Sequence, residues 1–289
     1  MSNNPFDEGY VEPAQPYYPP AAEQKIIGEQ CEVCREPLPF CICVEASVTV
    51  VEEVMQPAPK KRSSVVYHAN LIQGSEEWHA ARCGLLTASE MKLIITPTLK
   101  AASNDKERSH LYELLAQRIS GYVEPSYIND HMLRGWDDEI EARRLYGETY
   151  APTEEVGFIT NDRWGFTLGY SPDALVGEHG LIECKSRKQK FQVETIASGE
   201  VPDEFMMQLQ TGLLVSERQW IDFISFSGGL PMVTIRVFPD PEYQEAIIAA
   251  AAAFEERLEK KRAEYLDALV ASEGRFIATE RRVEAEMFV

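Results

Sequence analysis

The segments Ser171-Pro172-Asp173 and Leu181-Ile182-Glu183-Cys184-Lys185 decide how this chain folds. The pattern predicts a strand that carries Asp173, a glycine-containing turn, and a second strand that carries Glu183 and Lys185. Side chains two residues apart on a strand lie on the same face, so Glu183 and Lys185 are expected to project together. Antiparallel pairing of the two strands would place Asp173 beside Glu183, within a register error of about one residue.

Two carboxylates and an ammonium group on one patch suit metal-assisted phosphodiester hydrolysis. Hard carboxylate oxygens bind Mg²⁺, the ion polarises the phosphate and activates water, and the lysine stabilises charge or transfers a proton. The alternative interpretation is that Asp173 is an ordinary turn residue and that Glu183 and Lys185 form a solvated surface ion pair. The apolar residues that flank Asp173 and Glu183 favour the functional interpretation, because a charge at the end of a buried strand is otherwise costly.

Composition gives an opposing signal. The chain has 289 residues, 44% of them hydrophobic, and a formal net charge of −19. An acidic balance argues against tight nonspecific DNA binding, which normally requires a basic surface, although a metal site must itself be acidic and a basic channel can lie inside an acidic shell. No apolar run is long enough to span a membrane and no signal peptide is recognisable, which predicts a cytoplasmic protein, in the host cell if the chain is phage-encoded.

Four segments are predicted along the chain. Residues 1–27 are rich in Pro, Asn, Glu and Tyr and are expected to be a disordered arm. Residues 28–64 hold a cysteine-rich segment and a linker. Residues 65–272 form the main domain, and residues 273–289 form a tail. The order of elements in the main domain predicts an α/β fold with a central mixed β-sheet flanked by helices.

The elements of that domain follow from hydrophobic periodicity and capping signals. Helices are predicted at 75–82, 106–120, 129–146, 203–215 and 241–271, and strands at 156–160, 166–169, 173–176, 181–185, 220–226 and 232–237. In the helix at 129–146, the apolar positions are Met132, Leu133, Trp136, Ile140 and Leu145. The segment Thr87-Ala88-Ser89-Glu90 has the form of a capping box at the start of a helix.

The cysteines divide into a cluster and two isolated residues. Four thiols in two closely spaced pairs could hold one structural Zn²⁺ tetrahedrally; they are Cys31, Cys34, Cys41 and Cys43. The Cys-x-Cys half is tighter than the usual zinc-ribbon spacing, so reduced thiols in a flexible arm are the alternative. Cys83 and Cys184 lie in apolar contexts and are expected to be buried thiols.

Four segments together resemble the lambda-exonuclease-like, YqaJ-type viral recombinase family of the PD-(D/E)xK nuclease superfamily. They are Gln73–Glu90, with its Gln-Gly, Trp, Arg-x-Gly and Thr-Ala-Ser elements; Gly135–Arg143; Ser171-Pro172-Asp173 with Glu183-Cys184-Lys185; and Met207–Gln210. Each segment alone is a weak signal, but their order and spacing match the family over roughly residues 70–260. The resemblance implies a restriction-endonuclease-like core.

The resemblance also implies roles for individual residues. Asp173, Glu183 and Glu139 would bind Mg²⁺, with Mn²⁺ as an alternative ion. Lys185 would be the catalytic lysine, and Gln208 would line the site. Two further residues, Arg82 and Ser89, fall where the family binds a terminal 5′-phosphate.

Each of these residues also has an ordinary structural interpretation. Glu139 belongs to the acidic run Asp137-Asp138-Glu139, which is typical of a solvated helix. Arg82 could be a surface helix residue, and Trp78 is more typical of a core anchor than of a base-stacking platform. One departure from the family pattern is Asp130, where lambda exonuclease has a basic residue, so the DNA path is less well defined by sequence than the metal site.

The resemblance implies a metal-dependent 5′→3′ exonuclease that degrades one strand of duplex DNA from its ends and leaves 3′ overhangs during phage recombination. A structure-specific endonuclease is the alternative among enzymes. A non-catalytic nucleic-acid-binding adaptor on the same fold is the alternative outside them. The family also implies a homotrimer and a single-strand annealing partner.

Overall fold

The computed structural model describes residues 64–124, 130–271 and 275–281. The predicted disordered arm, the cysteine cluster and most of the predicted tail lie outside these residues. Within the described part of the chain, no helix is long and apolar enough to cross a membrane.

Runs of helices and runs of strands follow one another along the main domain. The helices are α1 (Glu76–Arg82), α2 (Met91–Ile94), α3 (Asp105–Ser120), α4 (Asp130–Thr149), α5 (Gln189–Ser198), α6 (Asp203–Ser216) and α7 (Pro241–Ala271). The strands are β1 (Val65–His68), β2 (Leu86–Thr87), β3 (Phe158–Asn161), β4 (Leu168–Tyr170), β5 (Ala174–Val176), β6 (Gly180–Ser186), β7 (Trp220–Phe226) and β8 (Val233–Val237). A 3₁₀ turn, Ala88–Glu90, separates β2 from α2.

The strands form two mixed four-stranded sheets, with the orders β1-β3-β4-β2 and β5-β6-β7-β8. In the second sheet, β6 runs parallel to β7 and antiparallel to β5. The main core lies between the sheets and helices α2, α3, α6 and α7, and a smaller apolar cluster lies between α4 and the second sheet. The predicted α/β class with helices flanking mixed strands is confirmed, although the strands are divided between two sheets.

Helix α5 was not predicted because its burial pattern is inverted. Its apolar residues Phe191, Val193 and Ile196 are exposed, whereas Gln192 and Thr195 are buried. The Gln192 amide donates hydrogen bonds to the Ser225 and Pro231 carbonyl oxygens, at 3.0 and 2.7 Å. These tertiary hydrogen bonds, rather than an apolar stripe, hold α5 against β7, and periodicity cannot reveal them.

The expected apolar face of α4 is wrong. Leu133, Trp136 and Ile140 are 49%, 48% and 59% exposed, and the helix instead buries Ala142 and Tyr146. The reason is that the face of α4 toward β6 also carries the charged side chains of the site described below, so the longer apolar stripe is turned outward.

Two smaller expectations also need correction. The apolar series of α3 (Leu111, Leu114, Leu115 and Ile119) predicts a buried Ile119, but this residue is 42% exposed near the end of the helix. Cys184 is buried as expected, but Cys83 is only partly buried, because it follows the last residue of α1.

Candidate active site

The pairing of β5 with β6 brings Asp173 and Glu183 together. The register pairs Ala174 with Ile182, and the Asp173 amide donates a hydrogen bond of 3.2 Å to the Ile182 carbonyl oxygen. One further step along the same register places Asp173 opposite Glu183. The predicted hairpin and its register are therefore confirmed, and both carboxylates are buried.

The Glu183 carboxylate is held by three side chains. Its Oε1 accepts hydrogen bonds from Lys185 Nζ at 2.6 Å and from Gln208 Nε2 at 2.5 Å. Its Oε2 accepts a hydrogen bond from the Tyr170 hydroxyl at 2.8 Å. The first two contacts follow the predicted placements, since Lys185 shares the β6 face with Glu183 and α6 carries Gln208 into the site.

Tyr170 is a site residue that the sequence did not reveal. It ends β4, immediately before the Ser171-Pro172-Asp173 segment, and is buried. The backbone of α6 approaches its ring so closely that a Cβ atom at Gly212 would lie 2.7 Å from it. A tyrosine buried this deeply normally needs a partner for its hydroxyl, but only the fold identifies Glu183 as that partner.

Glu139 reaches the same group of carboxylates from α4, although its neighbour Asp137 is exposed. Arg143, one helical turn further on, lies 3.5 Å from the Glu139 carboxylate and donates a hydrogen bond of 3.0 Å to the Asp173 carbonyl oxygen. The Asp173 carboxylate itself accepts a hydrogen bond from the Cys184 amide. Arg143 was also missed by the sequence interpretation, although its i+4 spacing from Glu139 is the usual signal of a helical ion pair.

The pKa values of these groups reflect their crowding. Burial, reinforced by the nearby Glu183 and Glu139 carboxylates, raises the pKa of Asp173 well above its ordinary value. Burial also raises the pKa of Glu139, against the opposing charge of Arg143. Burial alone would lower the pKa of Lys185, but the charges of Glu183 and Asp173 outweigh it and raise the pKa. The lysine is therefore an ammonium group near neutral pH.

The chemistry of this donor set fits a hard divalent cation. Three carboxylates share one region, and burial, with the neighbouring carboxylates adding to it, raises the pKa of Asp173 and of Glu139. Among the described residues, no three acidic, histidine or cysteine side chains converge as a ready-made metal cage. Both Glu183 oxygens are instead engaged by protein donors. Cation binding would have to replace some of these contacts.

Arg82 is linked through Ser171 to the segment that carries Asp173. Its guanidinium donates hydrogen bonds to Ser171 Oγ at 3.1 Å and to Thr87 Oγ1 at 3.4 Å, and it stacks 4.2 Å from the centroid of the Trp78 ring. Ser89 Oγ lies 3.3 Å from Thr87 Oγ1. The structure thus brings Arg82 and Ser89 to one surface around Thr87. The Trp78 ring packs against Arg82, and its indole N–H donates a hydrogen bond of 2.9 Å to the Gly157 carbonyl oxygen.

The predicted capping box at Thr87 is present, with Glu90 accepting from the Thr87 amide. The element that it starts is short, however: the 3₁₀ turn is followed by only one turn of α-helix, Met91–Ile94. Because aligned peptide dipoles need a longer helix, this element gives a bound anion little dipole stabilisation. Anion binding at this surface would depend on the side chains of Arg82, Thr87 and Ser89.

Mixed sheets flanked by helices, with carboxylates and a lysine on adjacent strands, define a nuclease fold. A model of the YqaJ-like viral recombinase domain matches residues 77–219. An alkaline exonuclease from Laribacter hongkongensis is 34% identical, with a TM-score of 0.61 and an alignment that covers 69% of this chain and 100% of that chain. Its complex with dAMP is 36% identical over the same shares, also with a TM-score of 0.61. No match was found among curated proteins.

The chain therefore belongs to the YqaJ-like viral recombinase family, as its four sequence segments indicated. The family match and the alkaline exonuclease structures support a DNA exonuclease that acts in recombination.

Proposed function

We propose that this protein is a Mg²⁺-dependent exonuclease that degrades the 5′ strand at ends of double-stranded DNA and leaves 3′ single-stranded overhangs. The observation that carries the proposal is the buried Asp173–Glu183 pair, with Lys185 on Glu183 and Glu139 alongside. The complex of the Laribacter enzyme with dAMP supports it, because a nucleoside monophosphate is the product that stepwise hydrolysis of a DNA strand would release.

In this mechanism, Asp173, Glu183 and Glu139 would hold the metal ion. Mg²⁺ bound there would supply Lewis-acid polarisation of the scissile phosphate and a lower pKa for the attacking water. Mn²⁺ has the same preference for oxygen ligands and is expected to substitute. Lys185, as an ammonium group, stabilises the negative charge that develops on the phosphate oxygens. Gln208 and Tyr170 keep the Glu183 carboxylate in place.

The 5′ polarity of the proposal rests on Arg82 and Ser89. Arg82 is aligned by Ser171, two residues before Asp173, and the planar guanidinium suits two phosphate oxygens at once. Burial lowers the pKa of Arg82, but its ordinary value is so high that the group keeps its charge. A terminal 5′-phosphate at this surface would be held next to the carboxylates, so that the adjoining phosphodiester lies over the metal ligands.

Two further parts of the proposal concern assembly and the cysteine cluster. The trimer and the single-strand annealing partner follow from the family resemblance, and light scattering of the purified protein tests the trimer.

The four clustered cysteines are proposed to hold one Zn²⁺. Elemental analysis of protein prepared without chelator should find about one zinc per chain, and none after deletion of residues 1–60; the absence of zinc from the full chain contradicts the zinc site.

The proposal is tested by digesting linear and covalently closed circular duplexes of the same sequence with Mg²⁺. We expect loss of the linear form alone and no cleavage in chelator. Cleavage of both forms would support the endonuclease alternative, and cleavage of neither would support a non-catalytic adaptor. The Glu183→Gln variant is the matched control, because it removes a metal-binding charge while retaining the shape of the side chain.

A further inference from the structure

Two exposed aromatic rings stand at the opening of the candidate active site. Trp136 on α4 and Phe191 on α5 line the same cleft of about 520 Å³ as Glu139 and Lys185. Trp136 lies three residues before Glu139 on the same helix, so the two side chains share a face. Phe191 follows the end of β6, the strand that carries Lys185. The aromatic rings therefore flank the opening through which a strand would reach the carboxylates.

Neither aromatic ring packs in the hydrophobic core. Trp136 and Phe191 are 48% and 37% exposed. Neither belongs to the residues packed in or against the two apolar clusters of the described structure. Exposure of large apolar surface beside a functional cleft is typical of a binding site.

Positive charge collects around the same opening. Arg134, Arg187 and Lys188 line the cleft, and Lys190 Nζ lies 4.6 Å from the centroid of the Phe191 ring. Arg187 is paired with Glu204 at 2.7 Å and Arg134 with Asp138 at 3.8 Å, whereas Lys188 and Lys190 have no acidic partner among the described residues. In a chain with 28 basic and 47 acidic residues, such a group of cations is a local exception. Aromatic rings interleaved with cations suit a flexible polyanion that carries flat, apolar bases.

We propose that Trp136 and Phe191 form a stacking site for unpaired bases of the DNA strand at the metal cleft, while Lys188 and Lys190 contact its phosphates. The inference rests on the proposed function, since it places the strand in the same cleft. The Lys190 ammonium now over the Phe191 ring stands on a flexible stem, so an incoming base can displace it toward a phosphate. Stacking accepts any base, so this site holds a strand without selecting sequence.

The test compares two single-stranded oligomers of equal length, one of thymidine nucleotides and one with the same phosphates but no bases. Their affinities for the full-length protein are measured by fluorescence anisotropy in chelator, so that neither strand is cleaved. The variants are Trp136→Ala, Phe191→Ala and the conservative Trp136→Phe. The matched control is Tyr112→Ala on α3, because Tyr112 is 50% exposed and lies outside this cleft.

We expect the wild type to bind the thymidine oligomer at least about fivefold more tightly than the abasic oligomer. Trp136→Ala and Phe191→Ala should each bring that ratio toward one. Trp136→Phe should retain most of the preference, and Tyr112→Ala should leave it unchanged. Lys188→Ala should instead weaken binding of both oligomers alike and reduce its salt dependence.

A wild type that binds both oligomers equally would overturn the stacking site. A preference for the thymidine strand that persists in both alanine variants would also overturn it. So would a lower molecular mass of the protein assembly in those variants with the affinity ratio unchanged, which would assign the rings to an interface between copies of this chain. Cleavage of linear duplex with Mg²⁺ by the same preparations separates the two proposals. Cleavage without base preference overturns only the stacking site, and base preference without cleavage overturns only the nuclease proposal.

Discussion

The Tyr170 hydroxyl donates a hydrogen bond of 2.8 Å to Glu183 Oε2 and thereby fixes one oxygen of the carboxylate whose other oxygen accepts from Lys185 and Gln208. Burial and the Glu183 charge raise the pKa of Tyr170 well above its ordinary value, so the phenol stays a hydrogen-bond donor across the working pH range. Tyr170 is thus a positioning residue for a proposed metal ligand.

Tyr170→Phe removes this hydrogen bond and keeps the ring. Loss of a partner that orients a metal ligand typically costs 10- to 100-fold in metal affinity or activity. We therefore expect the Mg²⁺ concentration for half-maximal cleavage to rise by at least about tenfold. Titration calorimetry with Mn²⁺ should show the same weakening of binding without any DNA.

Tyr146→Phe is the matched control, because Tyr146 is also buried and donates a hydrogen bond of 2.6 Å to Asp222. That variant should leave the metal dependence unchanged. Equal metal dependence of Tyr170→Phe and the wild type would show that Tyr170 serves only the core.

Lys185→Ala should reduce the rate of cleavage by at least about 100-fold, the lower range for a positioned group that moves a proton or stabilises charge. Its Nζ is 2.6 Å from Glu183, and its pKa is raised, so it contributes a full positive charge. Single-turnover cleavage at saturating Mg²⁺ measures the effect, with the surface variant Lys92→Ala for comparison. A loss of less than about tenfold, equal to ~1.4 kcal/mol, removes Lys185 from the chemistry.

The hairpin that carries Glu183 and Lys185 could be predicted from sequence because strand alternation and a glycine turn are local features. Glu139 needed the family pattern, since an acidic run on a helix is ordinarily solvated. Tyr170 could not be predicted, and Arg143 could be predicted only as the i+4 partner of Glu139, because their contacts with Glu183 and Asp173 form only when α4, β4 and β6 pack. The predicted apolar face of α4 was wrong for a related reason. An apolar stripe usually marks the side of a helix that faces the core, but in α4 the charged residues of the site occupy that side.

Asp173→Asn should stabilise the metal-free protein. Because the pKa of Asp173 is raised by burial and by nearby carboxylates, the native state favours the protonated form, and stability falls as pH rises through that pKa. Asparagine keeps an acceptor for the Cys184 amide without the charge. We expect an increase in the melting temperature of roughly 2–4 °C at pH 9 in chelator, for ~1 kcal/mol in a domain of this size.

The higher melting temperature of Asp173→Asn should disappear below the ordinary pKa of an aspartic acid, about 3.9, because both proteins are then neutral at this position. Adding Mg²⁺ should raise the melting temperature of the wild type but not of Asp173→Asn. A variant that is less stable than the wild type in chelator at pH 9 would contradict the assigned direction of the pKa.

Arg82→Ala should abolish most of the preference for 5′-phosphorylated ends. The guanidinium is positioned by Ser171 and Thr87, and a forked contact to phosphate is lost with it. Initial rates on duplexes that differ only in the 5′ group give the preference. Arg163→Ala, at an exposed arginine paired with Glu217, should behave as the wild type. Equal wild-type rates on both ends, when end engagement limits the rate, would assign Arg82 to structure alone.

The proposed polarity and active site are tested most directly by a time course on a linear duplex in which one strand carries different labels at its 5′ and 3′ termini. With Mg²⁺, we expect early release of the 5′ label as a mononucleotide, later release of the 3′ label, and neither from the Glu183→Gln variant. Earlier release of the 3′ label, or release of both labels at equal rates by Glu183→Gln, would contradict a 5′→3′ exonuclease built on this site.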